Sequence, residues 1–217
     1  MEEAHNAYHT LTTKEMRRKG YREFAKWMEQ AEEIWKEKRG VKSARQSVLQ
    51  RLDYQRGLTA QSPTHRHLVL YNAAGTNVSA TYCDRQALSL PLLVEHKLYW
   101  AAFNYVGEAQ FVVAVLNSAS VNDAIKPFQS TGLLGERDIE KKLLDVPIPL
   151  FNAENAAHLK LSELGRVAHG QAAALIHDEN FPSGSSLARQ RAFIRTALTD
   201  MLAEIDELVK TLLGLDR

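Results

Sequence analysis

The chain has 217 residues, 45% of them hydrophobic and 24% charged, with a formal net charge of +1; this is a globular composition and excludes disordered and fibrous classes. A single cysteine, Cys83, excludes an internal disulfide framework and any cysteine-cluster zinc site. No apolar run approaches the roughly 18–20 residues of a membrane-spanning helix, and MEEAHNAYH at the N-terminus lacks the basic-then-apolar layout of a secretory signal, so the expected location is cytoplasmic.

Thr12 with Glu15 three residues on makes a capping box, which predicts a long helix over 13–38 ending at Gly40. Tyr21, Phe24, Met28, Ala31 and Trp35 form a heptad-like stripe along it, with Trp27 and Trp35 expected in the core. A shorter helix over 42–52 leads into YQRGLTAQSPTHRH (54–67), a turn-rich, basic loop. HLVLYNAAGTNVSATYC (67–83) reads as two strands around a glycine turn, and LLVEHKLYWAAF (92–103) as a third strand. Helices follow at 107–118 and 119–126. Pro147 and Pro149 each remove a backbone donor, so DVPIPLF (145–151) is an extended connector. Two helices close the chain, over 153–176 and 186–213, with PSGSS (182–186) between them. The last carries Ile194, Leu198, Met201, Ile205, Leu208 and Leu212 as a seam.

These elements predict an α+β fold: a small β-rich domain at 54–150, flanked by helical segments 1–53 and 151–217. The stripes of the first and last long helices are expected to pack antiparallel, each burying the other. Charge is unevenly spread. Residues 1–66 hold 14 Lys/Arg against 9 Asp/Glu (+5), residues 67–150 hold 6 against 8 (−2), and residues 151–217 hold 7 against 9 (−2).

Catalytic signatures are absent. The sequence contains no GxxxxGK[ST] loop, GxGxxG, GxSxG or HExxH. His5 with His9 and His65 with His67 lack the further converging ligands a metal needs. Asp138, Glu140 and Lys141 superficially match a nuclease centre, but the acids are one residue apart in a glycine-opened segment, and a charged helix start accounts for them. Cys83 has no argument for a low pKa, and buried strand cysteine is the common case.

Three stretches point further: LLVEHKLYW (92–100), LNSASVNDAIKPFQSTGLLGERDIEKKLLDVPIP (116–149) and LAEIDELVKTLLGL (202–215). Their order and spacing resemble the C-terminal target-recognition region of amino-methylating DNA methyltransferases of the restriction–modification type, including type II restriction–methylase polypeptides. Type I specificity subunits show a looser version with similar proline connectors. The family's cofactor glycine motif and Asn/Asp-Pro-Pro-aromatic motif have no counterpart in these residues. The resemblance therefore implies sequence-specific recognition of double-stranded DNA without catalysis. S-adenosylmethionine is expected in a catalytic domain, in the same or a separate chain, and no cofactor or metal in this one. Two other readings stand beside it: a free-standing specificity or adaptor subunit docking onto a separate methylase, and a metal-dependent nuclease fragment.

A DNA reader needs donors and acceptors at base edges and cations on phosphates. The segment 125–142 offers Lys126, Gln129, Ser130, Arg137 and Lys141 around two glycines. Asn72, Asn77 and Arg85 on the hairpin, and His96 and Tyr99 on the next strand, complete the predicted interface.

Overall fold

The capping box forms as expected. In the computed structural model, which describes residues 2–4, 7–132, 135–136, 138–139 and 142–215, the Glu15 amide donates to the Thr12 hydroxyl and the Thr12 amide to the Glu15 carboxylate. The helix it opens, α1 (Thr13–Arg18), is however only six residues long. Gly20 takes φ +89, a left-handed conformation that glycine adopts without steric cost, and the chain turns before α2 (Arg22–Lys38). The single helix expected over 13–38 is thus two, with Arg17 Nη2 on α1 lying 2.6 Å from Glu29 Oε2 on α2.

The chain forms two compact units rather than the three segments expected. The first, residues 1–64 and 90–95, holds a short hairpin of β1 (Glu2–Ala4) and β2 (Ala7–His9), then α1, α2 and α3 (Val48–Leu52). Leu11, Met16, Ala25 and Met28 form its apolar centre, with Val48 and Leu49 against them. Trp35 donates its indole N–H to the Gln46 carbonyl at 2.7 Å, and Glu32 accepts the Val48 amide at 2.7 Å. Because α1 folds back at Gly20, it covers the Ala25–Met28 side of α2. The predicted stripe is correspondingly displaced: Tyr21 and Phe24 are half exposed, and Trp27, expected in the core, is 57% exposed and stacked on Phe24. Gln61 clasps residues 90–95 to this unit, donating to the Val94 carbonyl and accepting its amide. Residues 92–97 are therefore not the first half of a strand.

The second unit, residues 65–89 and 96–217, is built on a three-stranded antiparallel sheet. Its central strand is β3 (His67–Asn72), flanked by β4 (Ala80–Asp84) and β5 (Leu98–Phe103). Across it runs α4 (Val106–Asn117), mostly apolar because most of its surface is covered: Phe111 and Val115 are wholly buried, and Glu108 and Gln110 lie where cover is partial. The remaining elements are α5 (Ala119–Ile125), the short pair β6 (Thr131–Gly132) and β7 (Gly135–Glu136), α6 (Ala156–Leu175), α7 (Leu187–Ala197) and α8 (Thr199–Leu213). Gly165 lets α6 approach α4 closely; a Cβ there would stand 2.3 Å from the Gln110 carbonyl oxygen.

The last helix, expected as one piece, breaks at Leu198 into α7 and α8. Ile205 and Val209 of α8 join Phe111, Val115 and Leu161 in one core, which is why the C-terminal segment is not a separate flank of the sheet. Met28 is buried in the other unit's core. Of the two stripes expected to bury each other antiparallel, Met28 and Ile205 are thus each buried within their own unit, while Tyr21 and Phe24 stay half exposed. The α+β class stands, and among the described residues no helix is long and apolar enough to cross a membrane.

Candidate nucleic-acid interface

The turn between β3 and β4 is held from behind by side chains distant in sequence. Asn72, the last residue of β3, donates its amide to the carbonyls of Ala74 and Asn77 and accepts the Ser79 amide, at 2.8–3.1 Å. Asn122 on α5 accepts the Val78 amide at 2.6 Å. Asn117, at the end of α4, grips Ala80 by both its N–H and its carbonyl. Gln129 donates to the Gly75 carbonyl at 3.1 Å, and the Ile139 amide donates to Ala73. Arg195 of α7 reaches the Val78 carbonyl at 3.3 Å. Gly75 itself has φ +140. Exposed at the tip are Ala74, Thr76 and Asn77, of which Thr76 and Asn77 offer polar side chains.

Several predicted readers are therefore struts. Asn72 and Gln129 are buried, 9% and 7% exposed, and their amides face the turn backbone; one atom, Gln129 Oε1, is buried without a partner among the described residues. Ser130 donates to the Asp138 carboxylate. Lys126 pairs with Asp123 at 2.8 Å. Tyr99 on β5 stacks on Tyr71, ring centroids 5.2 Å apart, and burial pushes the Tyr71 hydroxyl up to about 12. His96 lies in the turn before β5, not on a strand. Arg85 sits in a single turn after β4, donating to the His65 carbonyl. Because His67 pairs with Asp84 while Asn72 pairs with Leu98, Arg85 lies at the opposite end of the sheet from the tip, about 17 Å away at 3.3 Å per residue. Asn77, Gln129, Ser130, His96 and Tyr99 share the tip end. Arg137 and Lys141 lie outside the described residues, as do Glu140 of the nuclease-like set and His5.

No group of three His, Cys, Asp or Glu side chains able to hold a metal occurs among the described residues. Cys83 is a poor nucleophile, because burial, reinforced by Asp84, pushes its thiol above the ordinary value.

A second polar surface lies wholly within the first unit. Between Glu37 and Asp84 the sequence holds one acid, Asp53. Its carboxylate is consumed locally, accepting the amides of Leu58 and Thr59 at 2.9 Å and the Thr59 hydroxyl at 2.6 Å. Burial raises its pKa, but these hydrogen bonds outweigh burial and hold it below the usual carboxylate range. Beside it runs an open groove of about 600 Å³ whose walls include Lys42, Arg45, Gln46, Gln50, Tyr54 and Arg56. Gln55 and Arg56 both adopt left-handed backbone, φ 53 and 60, a conformation costing roughly 1–2 kcal/mol for a side-chain-bearing residue. That turn sets Arg56 in the groove wall. Arg51 lies over the Tyr54 ring, 5.7 Å from its centroid.

Lys42, Arg45 and Arg56 are functional candidates that the reading of motifs missed. The available signal was the acid-free run itself, visible within the +5 balance of the first 66 residues. No protein-family model, curated protein or solved structure matches this chain.

Proposed function

We propose that this chain reads duplex DNA as the specificity part of an amino-methylating DNA methyltransferase or restriction–methylase. S-adenosylmethionine binding and methyl transfer then belong to a catalytic domain, in the same or a separate chain. The observation that carries this reading is the groove of the first unit. Lys42, Arg45 and Arg56 line it, and the one nearby carboxylate, Asp53, is already occupied by Leu58 and Thr59. Three cations against a single carboxylate, Asp53, among the described residues lining an open channel leave a net positive wall that suits a phosphate backbone, where each contact releases condensed counter-ions.

The hairpin tip supports the same reading. Sequence discrimination needs donors and acceptors fixed in place before contact. Thr76 and Asn77 are offered on a turn whose backbone is gripped by Asn117, Asn122 and Gln129. An asparagine amide fits the N6/N7 edge of adenine. The residues that carry the family resemblance, Leu-Asn-Ser at 116–118 above all, supply these grips, and Asp206 of the C-terminal stretch in turn accepts from Ser120 at 2.7 Å.

The test is fluorescence anisotropy with random-sequence duplex DNA across roughly 50–200 mM salt. Replacing Lys42, Arg45 and Arg56 together by Ala should lower the salt slope by nearly three units, about 0.9 per phosphate contact. Asn77→Ala should leave the slope unchanged and, on a selected site, reduce discrimination by about 1–3 kcal/mol. A wild-type chain without measurable DNA affinity at low salt, or a triple variant with the wild-type slope, would overturn the proposal.

A further inference from the structure

Beneath α7 in the second unit lies a cavity of about 230 Å³, bounded by β4, α4, α6, α7 and α8. Its wall is largely aliphatic, with Val113, Ala168, Ala172, Ile194, Leu202 and Ile205 among the lining residues. α7 contributes no fully buried residue to the core, so this side of the helix faces the cavity rather than close-packed protein.

Two cations line this largely apolar space, Arg195 partly buried and Arg191 exposed at its edge. They stand one helical turn apart on α7. No acid occurs from residue 180 to 199. Arg195 is partly buried, and its hydrogen bond among the described residues is the single long one to the Val78 carbonyl. A guanidinium has five donors, and removing it from water without a counter-ion is costly. The strain shows in its electrostatics: burial, and after it the like charge of Arg191, pull Arg195 below its ordinary pKa. The other polar groups at the wall do not relieve this. Asn117 is committed to Ala80 and the Val113 carbonyl. His169 sits edge-on to Tyr82, and burial pulls its imidazole down, toward the neutral form at pH 7.

We propose that this cavity binds a small organic monocarboxylate, its apolar body among the aliphatic side chains and its carboxylate between Arg191 and Arg195. A carboxylate matches the guanidinium fork in a bidentate pair, and two arginines one turn apart can share it. The volume lies below the roughly 300–1,000 Å³ of sites for drug-sized ligands, which limits the body to a short alkyl chain or one ring. The site shares no residue with the groove of Lys42, Arg45 and Arg56, but two of its lining residues, Asn117 and Arg195, also hold the hairpin turn.

Isothermal titration of the full chain with octanoate, and with 1-octanol as its uncharged counterpart, tests the assignment. Octanoate should bind at one site, at least tenfold more tightly than octanol. Arg191→Gln with Arg195→Gln should bring octanoate down to the level of octanol, while Ala172→Phe, which fills the cavity, should abolish both. Arg195→Gln also removes the hydrogen bond to the Val78 carbonyl, so the double variant should melt slightly below the wild type yet stay folded. Its octanol binding reports that the cavity is intact if Ala172→Phe does not fold. Equal binding of octanoate and octanol, or an undiminished octanoate affinity in the double variant, would sink the proposal. So would a double variant that loses DNA affinity when octanoate binds neither protein, since the arginines would then be phosphate contacts.

Discussion

The hairpin tip and the basic groove are both dense in polar side chains, and they treat them in opposite ways. At the tip, Asn72, Asn117, Asn122 and Gln129 are turned inward and matched to backbone groups. In the groove, Lys42, Arg45 and Arg56 face open space, and the local acid is already saturated by its own loop. Buried polar groups hydrogen-bonded to a turn's backbone make a rigid object; exposed cations that outnumber the nearby carboxylate make an attractive one. A DNA reader needs both, and this chain keeps them on separate units.

Substitutions should separate the two regions by their effect on stability. The largest effect is expected at Asn117→Leu. It would strand the part-buried N–H and carbonyl of Ala80, each at the lower end of the about 1–3 kcal/mol cost of an unpaired buried group, so a loss of about 2 kcal/mol should appear as a lower urea midpoint with an unchanged slope. A loss under about 0.5 kcal/mol would mean that the tip does not depend on its brackets. Gln55→Gly should act in the other direction, because the left-handed backbone that strains glutamine is open to glycine. A gain of about 0.5–1 kcal/mol is expected once glycine's greater unfolded-state entropy is subtracted, read as a raised melting temperature. A fall instead would mean that the Gln55 side chain does more for the turn than its backbone costs. The triple variant of Lys42, Arg45 and Arg56 should move stability by no more than about 0.5 kcal/mol in either direction while removing most of the salt dependence of DNA binding. A large destabilisation would recast the groove as structure. The smallest effect concerns acid. Asp53 titrates lower in the folded chain than in the unfolded one, so the stability it contributes is full above about pH 4 and is lost as pH falls through its depressed pKa. Asp53→Asn should flatten that part of the acid-unfolding curve, and an unchanged curve would show that the loop's hydrogen bonds carry no net linkage.

Local chemistry was legible in the sequence; long-range chemistry was not. The Thr12–Glu15 box needs only residues three apart, and it forms as read. The proline connector and α4, α5 and α6 also fall within a few residues of their expected bounds. Gly20 was overlooked because a lone glycine in an apolar helical pattern is usually tolerated, and only its positive φ makes it a corner. The break at Leu198 has no glycine or proline to announce it; the Thr199 hydroxyl donates back to the carbonyls of Arg195 and Thr196, a competition for helix hydrogen bonds that a hydrophobic seam does not reveal. The mistaken readers share one cause. Asn72 and Gln129 look like surface amides in a polar turn, and the turn they support is assembled from residues far apart in sequence: Gln129 reaches Gly75 across 54 residues, and Asn122 reaches Val78 across 44. Charge asymmetry in the first 66 residues is legible independently of the fold, because a missing acid is visible in the sequence alone.

The short stretch 90–95 has a consequence for how this protein is made. It belongs to the first unit through Gln61 and Val94, yet it lies between β4 and β5 of the second. The backbone therefore crosses from one unit to the other three times, after residues 64, 89 and 95. During synthesis the N-terminal unit stays incomplete until residue 95 has left the ribosome, by which point β3 and β4 are already out and β5, the second neighbour of the central strand β3, is next to emerge. Neither unit is a contiguous piece of gene: a clone stopping at residue 64 omits the strap, and one beginning at residue 65 carries it with nothing to clasp. Shuffling of such a module between proteins by simple end-to-end fusion would have to move both units together.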